Sequence, residues 1–137
     1  MGTKNNSNGF MLLFRGNDWY KALSQEQMLK VSSEWMAWFE RLKQEGTCTA
    51  GSPLEQEGKV VSVTKGRVVV DGPFAESKET VGGYFLLRAD DFEQAVAIAK
   101  GCPGLPYGAK VEVRPIAPEC RLLAEAKEEA HLAGTSA

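Results

Sequence analysis

The length, composition and charge of the chain exclude several classes of protein. Its 137 residues are 43% hydrophobic and 25% charged, which predicts one soluble globular domain with a core that needs no disulfides. The formal net charge of −2 gives no electrostatic basis for binding nucleic acid or an anionic membrane surface.

The cysteines and the N-terminal segment indicate a compartment. Cys48, Cys102 and Cys120 form no CxxC pair and there is one histidine, so we expect reduced thiols and neither a disulfide framework nor a metal site. No apolar run approaches the ~18 residues of a membrane span. The polar start over residues 1–9 lacks the apolar core of a signal peptide. We therefore expect a cytoplasmic protein with a disordered N-terminus (residues 1–9), no cofactor and no membrane or nucleic-acid partner.

The first half of the chain contains a strand followed by a long amphipathic helix. Phe10–Phe14 is a continuous apolar run, which predicts a strand buried on both faces. A polar connector over residues 15–23 follows, in which Arg15, Asp18, Trp19 and Tyr20 form either the rim of a cavity or a solvated loop. Ser24 and Gln27 then form a capping-box pattern for a helix that ends at Gly46. Apolar residues of this helix recur three or four positions apart on one predicted core face: Met28, Val31, Trp35, Trp38 and Leu42.

The second half predicts short strands and two further helices. Thr47–Ala50 predicts a short strand, and Val60–Val63 with Arg67–Val70 predicts a hairpin around Lys65-Gly66. Tyr84–Arg88 and the alternating Lys110–Arg114 predict two more strands. Between them, Asp90 or Asp91 can cap a helix that carries Phe92, Ala95, Val96 and Ala99. A third, loosely docked helix is expected over Glu119–Leu132.

This order of elements predicts an α+β fold. The pattern β-α-β, hairpin insertion, β-α-β matches a ferredoxin-like antiparallel sheet with two helices on one face. The other face needs a cover, because the first strand is apolar at every position. A second copy of the same sheet would supply it, so we predict a homodimer through the sheet faces. The domain is expected to span residues 10–116, with a partly helical tail over residues 117–137.

The loop that begins at Asp71 is the richest segment in candidate functional groups. Gly72 and Pro73 prevent the preceding strand from continuing, since proline fixes φ and removes a donor. Asp71 is a candidate general base or ligand-binding carboxylate. The alternative, which we favour, is that it accepts hydrogen bonds from the following turn amides. Asp18, in the connector after the first strand, is the second candidate catalytic residue.

The same loop supplies candidate ligand-binding residues, among which we also count Gly72 and Pro73. Glu76 and Lys78 can clamp a polar ligand, with Lys78 as the charge for an anionic group; a solvated ion pair is the favoured alternative. Phe74 either stacks on a ligand or, more simply, anchors the loop.

Three glycines and a tryptophan complete the candidate ligand-binding set. Gly82 and Gly83 lack the GxGxxG spacing and precede a strand, so a phosphate site is excluded; they predict close backbone approach or a bulge. Gly51 follows the short second strand. Trp35 either belongs to the core or lines an apolar cavity.

Several of these motifs together resemble a known family. The resemblance is to the YCII-related, or DGPF-domain, family and extends from about Phe10 to Ile116. It is carried by these segments in order: Asp71-Gly72-Pro73-Phe74-Ala75-Glu76, Lys78, Gly82-Gly83-Tyr84, Gly101-Cys102-Pro103 and Val111-Glu112-Val113-Arg114-Pro115.

The resemblance implies a dimeric α/β-barrel of two ferredoxin-like subunits, each with a cavity between its helices and its sheet. Relatives of this fold include small monooxygenases and muconolactone-isomerase-like enzymes, and some family members accompany sigma-factor-like regulators. Several members are thought to use a His–Asp pair with the histidine on the first helix. Here that helix has none, Trp35 lies near the corresponding position, and the single histidine is His131.

Two functional hypotheses follow. The first is a small-molecule-binding protein, or a cofactor-independent enzyme, for a small, partly apolar metabolite; Asp71 with Glu76 or Asp18 would then transfer protons. The alternative is a non-catalytic regulatory module that binds a sigma-factor-type partner through the C-terminal helix. A cavity of roughly 300 Å³ or more would favour a ligand.

Overall fold

The computed structural model describes residues 8–16, 18–71 and 81–134 of the chain. Its helices and strands follow in this order: β1 (Phe10–Arg15), α1 (Gln25–Gln44), β2 (Cys48–Pro53), β3 (Val60–Thr64), β4 (Arg67–Asp71), β5 (Val81–Leu87), α2 (Phe92–Ala99), β6 (Lys110–Pro115) and α3 (Arg121–Gly134). A 3-10 helix, Trp19–Ala22, occupies part of the predicted connector, and a second, Leu105–Tyr107, precedes β6.

The main sheet has four strands in the order β2-β5-β1-β6, and every neighbouring pair is antiparallel. Together with α1 and α2 this is the predicted ferredoxin-like α+β arrangement. Strands β3 and β4 pair only with each other among the described residues. The predicted hairpin is therefore an insertion that forms a separate two-stranded ribbon.

The helix starts are set by side-chain caps. The Gln27 amide donates to Ser24 Oγ over 3.1 Å, and the Ser24 amide donates to Gln27 Oε1 over 2.9 Å. This confirms the capping box predicted for α1. For α2, the Gln94 amide donates to Asp91 Oδ1 over 2.8 Å, so Asp91 rather than Asp90 is the N-cap.

The core lies between one face of the sheet and the two helices α1 and α2. Phe10, Leu12 and Phe14 of β1 are buried there, in one cluster with α1 residues such as Trp38 and α2 residues such as Ala95. The alternate β1 residues, Met11 and Leu13, are only half-buried on the opposite face. The sequence predicted that both faces of β1 are buried. Within a single chain only the face toward the helices is fully buried.

One helical position differs from its predicted surroundings, whereas the third helix is exposed as expected for a loosely docked tail. Met28 was placed on the core face of α1, but its side chain is exposed. Its side chain lines a cavity instead of joining the core cluster. Helix α3 leaves nearly all of its described side chains exposed, Leu122, Leu123 and Leu132 included. No helix of the described residues is long and apolar enough to cross a membrane.

Candidate functional site

A cavity of about 700 Å³ lies between α1, the β2–β5 part of the sheet and the connector that follows β1. Helix α1 contributes Met28, Val31, Ser32, Trp35, Met36 and Phe39. The sheet contributes Phe14, Gly51, Ser52, Pro53, Gly82, Gly83 and Phe85. The connector contributes Gly16, Trp19, Tyr20 and Leu23, and the segment after β2 contributes Leu54 and Gln56.

Aromatic rings form the inner wall of this cavity. The Phe14 ring meets Phe85 and Trp35 edge to face, with centroids 4.8 Å and 4.9 Å apart. The Phe39 and Phe85 centroids are 4.9 Å apart, and the Trp19 ring lies nearly parallel to Trp35 at 6.1 Å. Such contacts stabilise the rings beyond simple area burial, so the rings hold one another in place along this wall.

Trp35 occupies both of the surroundings predicted for it. It packs against the core cluster and also lines the cavity, while Trp38 lies fully in the core. A Cβ built on Gly104 would be 2.8 Å from the Trp35 ring and 3.1 Å from the Trp19 ring. The absence of a side chain at Gly104 thus allows both rings to lie where they do.

The glycines of β2 and β5 permit close packing at the floor of the cavity. Opposite β1, Gly83 pairs with Phe14 and Val81 with Arg15, so Gly82 is the extra residue of a β-bulge. A Cβ on Gly83 would lie 3.0 Å from the Ser52 carbonyl oxygen. Both alternatives predicted for this glycine pair, a bulge and close backbone approach, are confirmed.

The described lining carries little polar chemistry. Among its described members no Asp, Glu, Lys, Arg, His or Cys occurs, and the Tyr20 phenol is the single ionisable group. The Gln56 side-chain amide donates a hydrogen bond to the Tyr20 hydroxyl. Ser52 Oγ donates to the Pro53 carbonyl over 3.0 Å. The described lining therefore consists of aromatic and aliphatic surface with a few neutral hydrogen-bonding groups.

The two predicted catalytic carboxylates are placed apart from this lining. Asp18 is exposed and precedes the 3-10 helix that carries Trp19. Asp71 is exposed at the end of β4. Neither is among the described residues that line the cavity, and their catalytic role stays a prediction. Of the candidate ligand-binding residues, Trp35, Gly51, Gly82 and Gly83 come together at the cavity, whereas Gly72, Pro73, Phe74, Glu76 and Lys78 lie outside the described residues.

Several lining residues were not among the site residues predicted from the sequence. Met28, Ser32 and Met36 recur every four positions and form a second stripe beside the core stripe of α1. The four-residue spacing could have revealed this stripe, but the polar Ser32 interrupts its hydrophobic pattern. Tyr20 lay in a connector whose role remained open, and nothing in the sequence near Gln56 marks it as a cavity residue.

The thiols lie outside this cavity as well. Cys48 and Cys102 are buried, as predicted for Cys48, and desolvation raises the pKa of each thiol despite hydrogen bonds to the backbone. Cys120 is exposed, and hydrogen bonds with the backbone of Leu123 and Leu122 lower its pKa. Across the described residues, no group of three or more His, Cys, Asp and Glu side chains could hold a metal ion.

Gly51 provides a direct test of this packing. A Cβ there would lie 2.7 Å from the Phe85 ring and 2.9 Å from the Tyr84 carbonyl oxygen. We expect Gly51→Ala to lower the free energy of unfolding by about 1–3 kcal/mol because of overpacking, as measured by urea denaturation. The matched control is Gly58→Ala, where no atom lies within 4 Å of the new Cβ. A loss for Gly51→Ala no larger than for this control would contradict the close contact.

Comparisons with known proteins give one clear relationship. The sequence profile of the YCII-related domain matches residues 11–119. Among solved structures, the chain is similar to 5-chloro-2-hydroxyhydroquinone dehydrochlorinase from Burkholderia phenoliruptrix AC1100, in complex with 2,5-dihydroxybenzoquinone. The two chains are 14% identical with a TM-score of 0.45, over 79% of this chain and 93% of that chain. A similarity this low says nothing about the ligand or reaction of this chain. A comparison with curated proteins found no match.

Proposed function

This chain belongs to the YCII-related domain family, and we propose that it is a small-molecule-binding protein whose ligand is uncharged and largely apolar. The observation that carries the proposal is the cavity of about 700 Å³, well above the roughly 300 Å³ at which ligand-binding cavities begin. The volume supports the first of the two hypotheses over a closed, side-chain-filled domain.

The absence of charged side chains from the described lining favours an uncharged ligand. The described side chains of the lining include no cation and no carboxylate, so a charged ligand group would lose water without gaining an ionic partner. A flat, aromatic ligand instead gains contact with Phe14, Trp35 and Phe85. The Tyr20 hydroxyl and the Gln56 amide can bind one neutral polar group of the ligand. A cofactor-independent reaction, in which Asp71 with Glu76 or Asp18 would transfer protons, stays a prediction of the sequence.

Two naphthalene compounds that differ in charge test this proposal. We expect 2-naphthol to bind at least about tenfold more tightly than 2-naphthoate at neutral pH, because the carboxylate must be desolvated without a partner. Isothermal titration calorimetry gives both affinities.

Adjacent serines of α1 provide the matched variants. Ser32→Phe fills part of the cavity and is expected to abolish naphthol binding. Ser33→Phe adds the same ring to an exposed residue that is not in the lining and should leave binding unchanged. Equal affinities for the two compounds, or equal effects of the two variants, would contradict the proposal.

We also propose that two copies associate through the sheet faces opposite α1 and α2. On this face Met11 pairs with Leu86, Leu13 pairs with Tyr84, and Leu86 pairs with Ala50. Beside this apolar area, Glu112 binds Arg15 over 2.8 Å and Arg114 over 3.1 Å. An apolar centre with a charged margin is the usual composition of a protein interface.

Leu86→Lys tests this association. The lysine would introduce a charge between Met11 and Ala50, and two such charges would meet across a two-fold interface. We expect the molar mass measured by light scattering after gel filtration to fall, whereas Gln44→Lys, on exposed helix surface, should keep the wild-type mass. An unchanged mass for Leu86→Lys would rule out this face.

A regulatory role for α3 remains the second candidate, because its Leu122, Leu123 and Leu132 are exposed. Under this hypothesis, removal of the residues after Pro118 should abolish capture of a purified sigma-factor-type regulator of the same organism, while naphthol binding persists. Capture by the truncated chain would exclude α3 as the contact.

A further inference from the structure

The Tyr20 phenol, the ionisable group of the described cavity lining, is held at both of its ends. Its ring lies edge to face against Trp19, with centroids 5.5 Å apart, and Trp19 in turn lies nearly parallel to Trp35 on α1. At the other end, the Gln56 side-chain amide donates a hydrogen bond to the hydroxyl oxygen. The hydroxyl therefore has a defined position at the cavity.

The segment that carries Gln56 is joined to the sheet close by. The Leu54 amide donates to the Gly82 carbonyl oxygen over 2.9 Å, which continues the pairing of β2 with β5 beyond Pro53. Gln56 lies two residues further along, and its side chain reaches the connector that follows β1. The hydrogen bond between Gln56 and Tyr20 thus joins two segments of the cavity lining that are 36 residues apart in sequence.

The direction of this hydrogen bond decides what Tyr20 offers to a ligand. A phenolic hydroxyl accepts at its oxygen and donates one hydrogen. The oxygen of Tyr20 accepts from Gln56, and the hydroxyl donates to no group among the described residues. Its hydrogen is therefore available to a ligand. Because hydrogen bonds in a chain polarise one another, the bond from Gln56 also makes the hydroxyl a stronger donor.

Two neighbouring polar groups of the lining differ from Tyr20 in this respect. Ser52 already donates its hydrogen to the Pro53 carbonyl oxygen over 3.0 Å. The side-chain oxygen of Gln56 can accept a hydrogen from a ligand, but Gln56 is exposed, so water competes for that oxygen. Tyr20 is half-buried, and its hydrogen gains more from a partner that the ligand supplies.

We propose that Tyr20, supported by Gln56, selects ligands that carry a carbonyl oxygen on an aromatic ring, such as an aryl ketone, aldehyde or ester. The carbonyl oxygen accepts the Tyr20 hydrogen while the ring of the ligand lies against the aromatic wall. Tyr20 is then a specificity-determining residue, and Gln56 is a positioning residue that fixes the direction of its hydroxyl. This inference rests on the proposed function and names the class of ligand within it.

Two naphthalene compounds of nearly equal shape test this selection. 2-Acetylnaphthalene carries a carbonyl oxygen where 2-isopropenylnaphthalene carries a methylene group. We expect Tyr20→Phe to weaken binding of the ketone at least about fivefold, the net effect of one neutral hydrogen bond, and binding of the alkene less than about twofold. Equilibrium dialysis gives the dissociation constants. Tyr107→Phe, at a half-buried tyrosine that is not among the described lining residues, should leave both unchanged.

The direction of the Gln56 hydrogen bond is tested by Gln56→Glu. At neutral pH an exposed glutamate is ionised and can only accept hydrogen bonds, so it takes the Tyr20 hydrogen and withholds it from the ligand. We expect the affinity for the ketone to fall at least about fivefold relative to the affinity for the alkene. A loss that is equal for the two compounds would overturn the role assigned to Gln56.

The same measurements separate this inference from the proposed function. If the wild-type chain binds neither naphthalene compound, the proposed function fails and the inference fails with it. If the wild-type chain binds them but Tyr20→Phe weakens both equally, or weakens neither, the cavity binds apolar ligands and only the selection by Tyr20 is overturned.

Discussion

The Phe85 ring is the contact on which both the core and the cavity depend. It lies on β5 at the middle of the sheet and touches Phe14, Trp38 and Phe39 with centroid distances of 4.8, 5.1 and 4.9 Å. Trp38 belongs to the buried core, whereas Phe14 and Phe39 also line the cavity. The Phe85 ring thus contacts both the buried core and the cavity wall. It can lie there because Gly51 has no side chain that would collide with it.

Much of the fold could be predicted because its signals are local. The Ser24–Gln27 capping box, the Asp91 cap and the alternation in β6 depend on neighbours within a few residues. The sequence also predicted the β3–β4 hairpin, where Lys65 and Gly66 both have positive φ, as a two-residue turn between twisted strands requires. Its separation from the core could not be predicted, since exposure depends on tertiary neighbours.

The site could be predicted only in part for the same reason. Trp35, Gly51, Gly82 and Gly83 were found through aromatic and glycine patterns. The lining contributed by Tyr20, Ser32 and Gln56 depends on segments that meet only in the folded chain. The resemblance implies a histidine on the first helix in several family members, whereas in this chain Trp35 lies near that position and forms part of the aromatic cavity wall.

The pairing of β1 sets the order in which the chain can fold. This first strand hydrogen-bonds to β5 and β6, with Phe10 opposite both Leu87 and Pro115. Loop closure over such separations is slow compared with a two-residue hairpin, which forms in roughly microseconds. On the ribosome, β1 must therefore wait for nearly the whole domain to emerge, while β3 and β4 can pair as soon as both are out. The β3–β4 ribbon can thus pair before β1 has either of its partner strands.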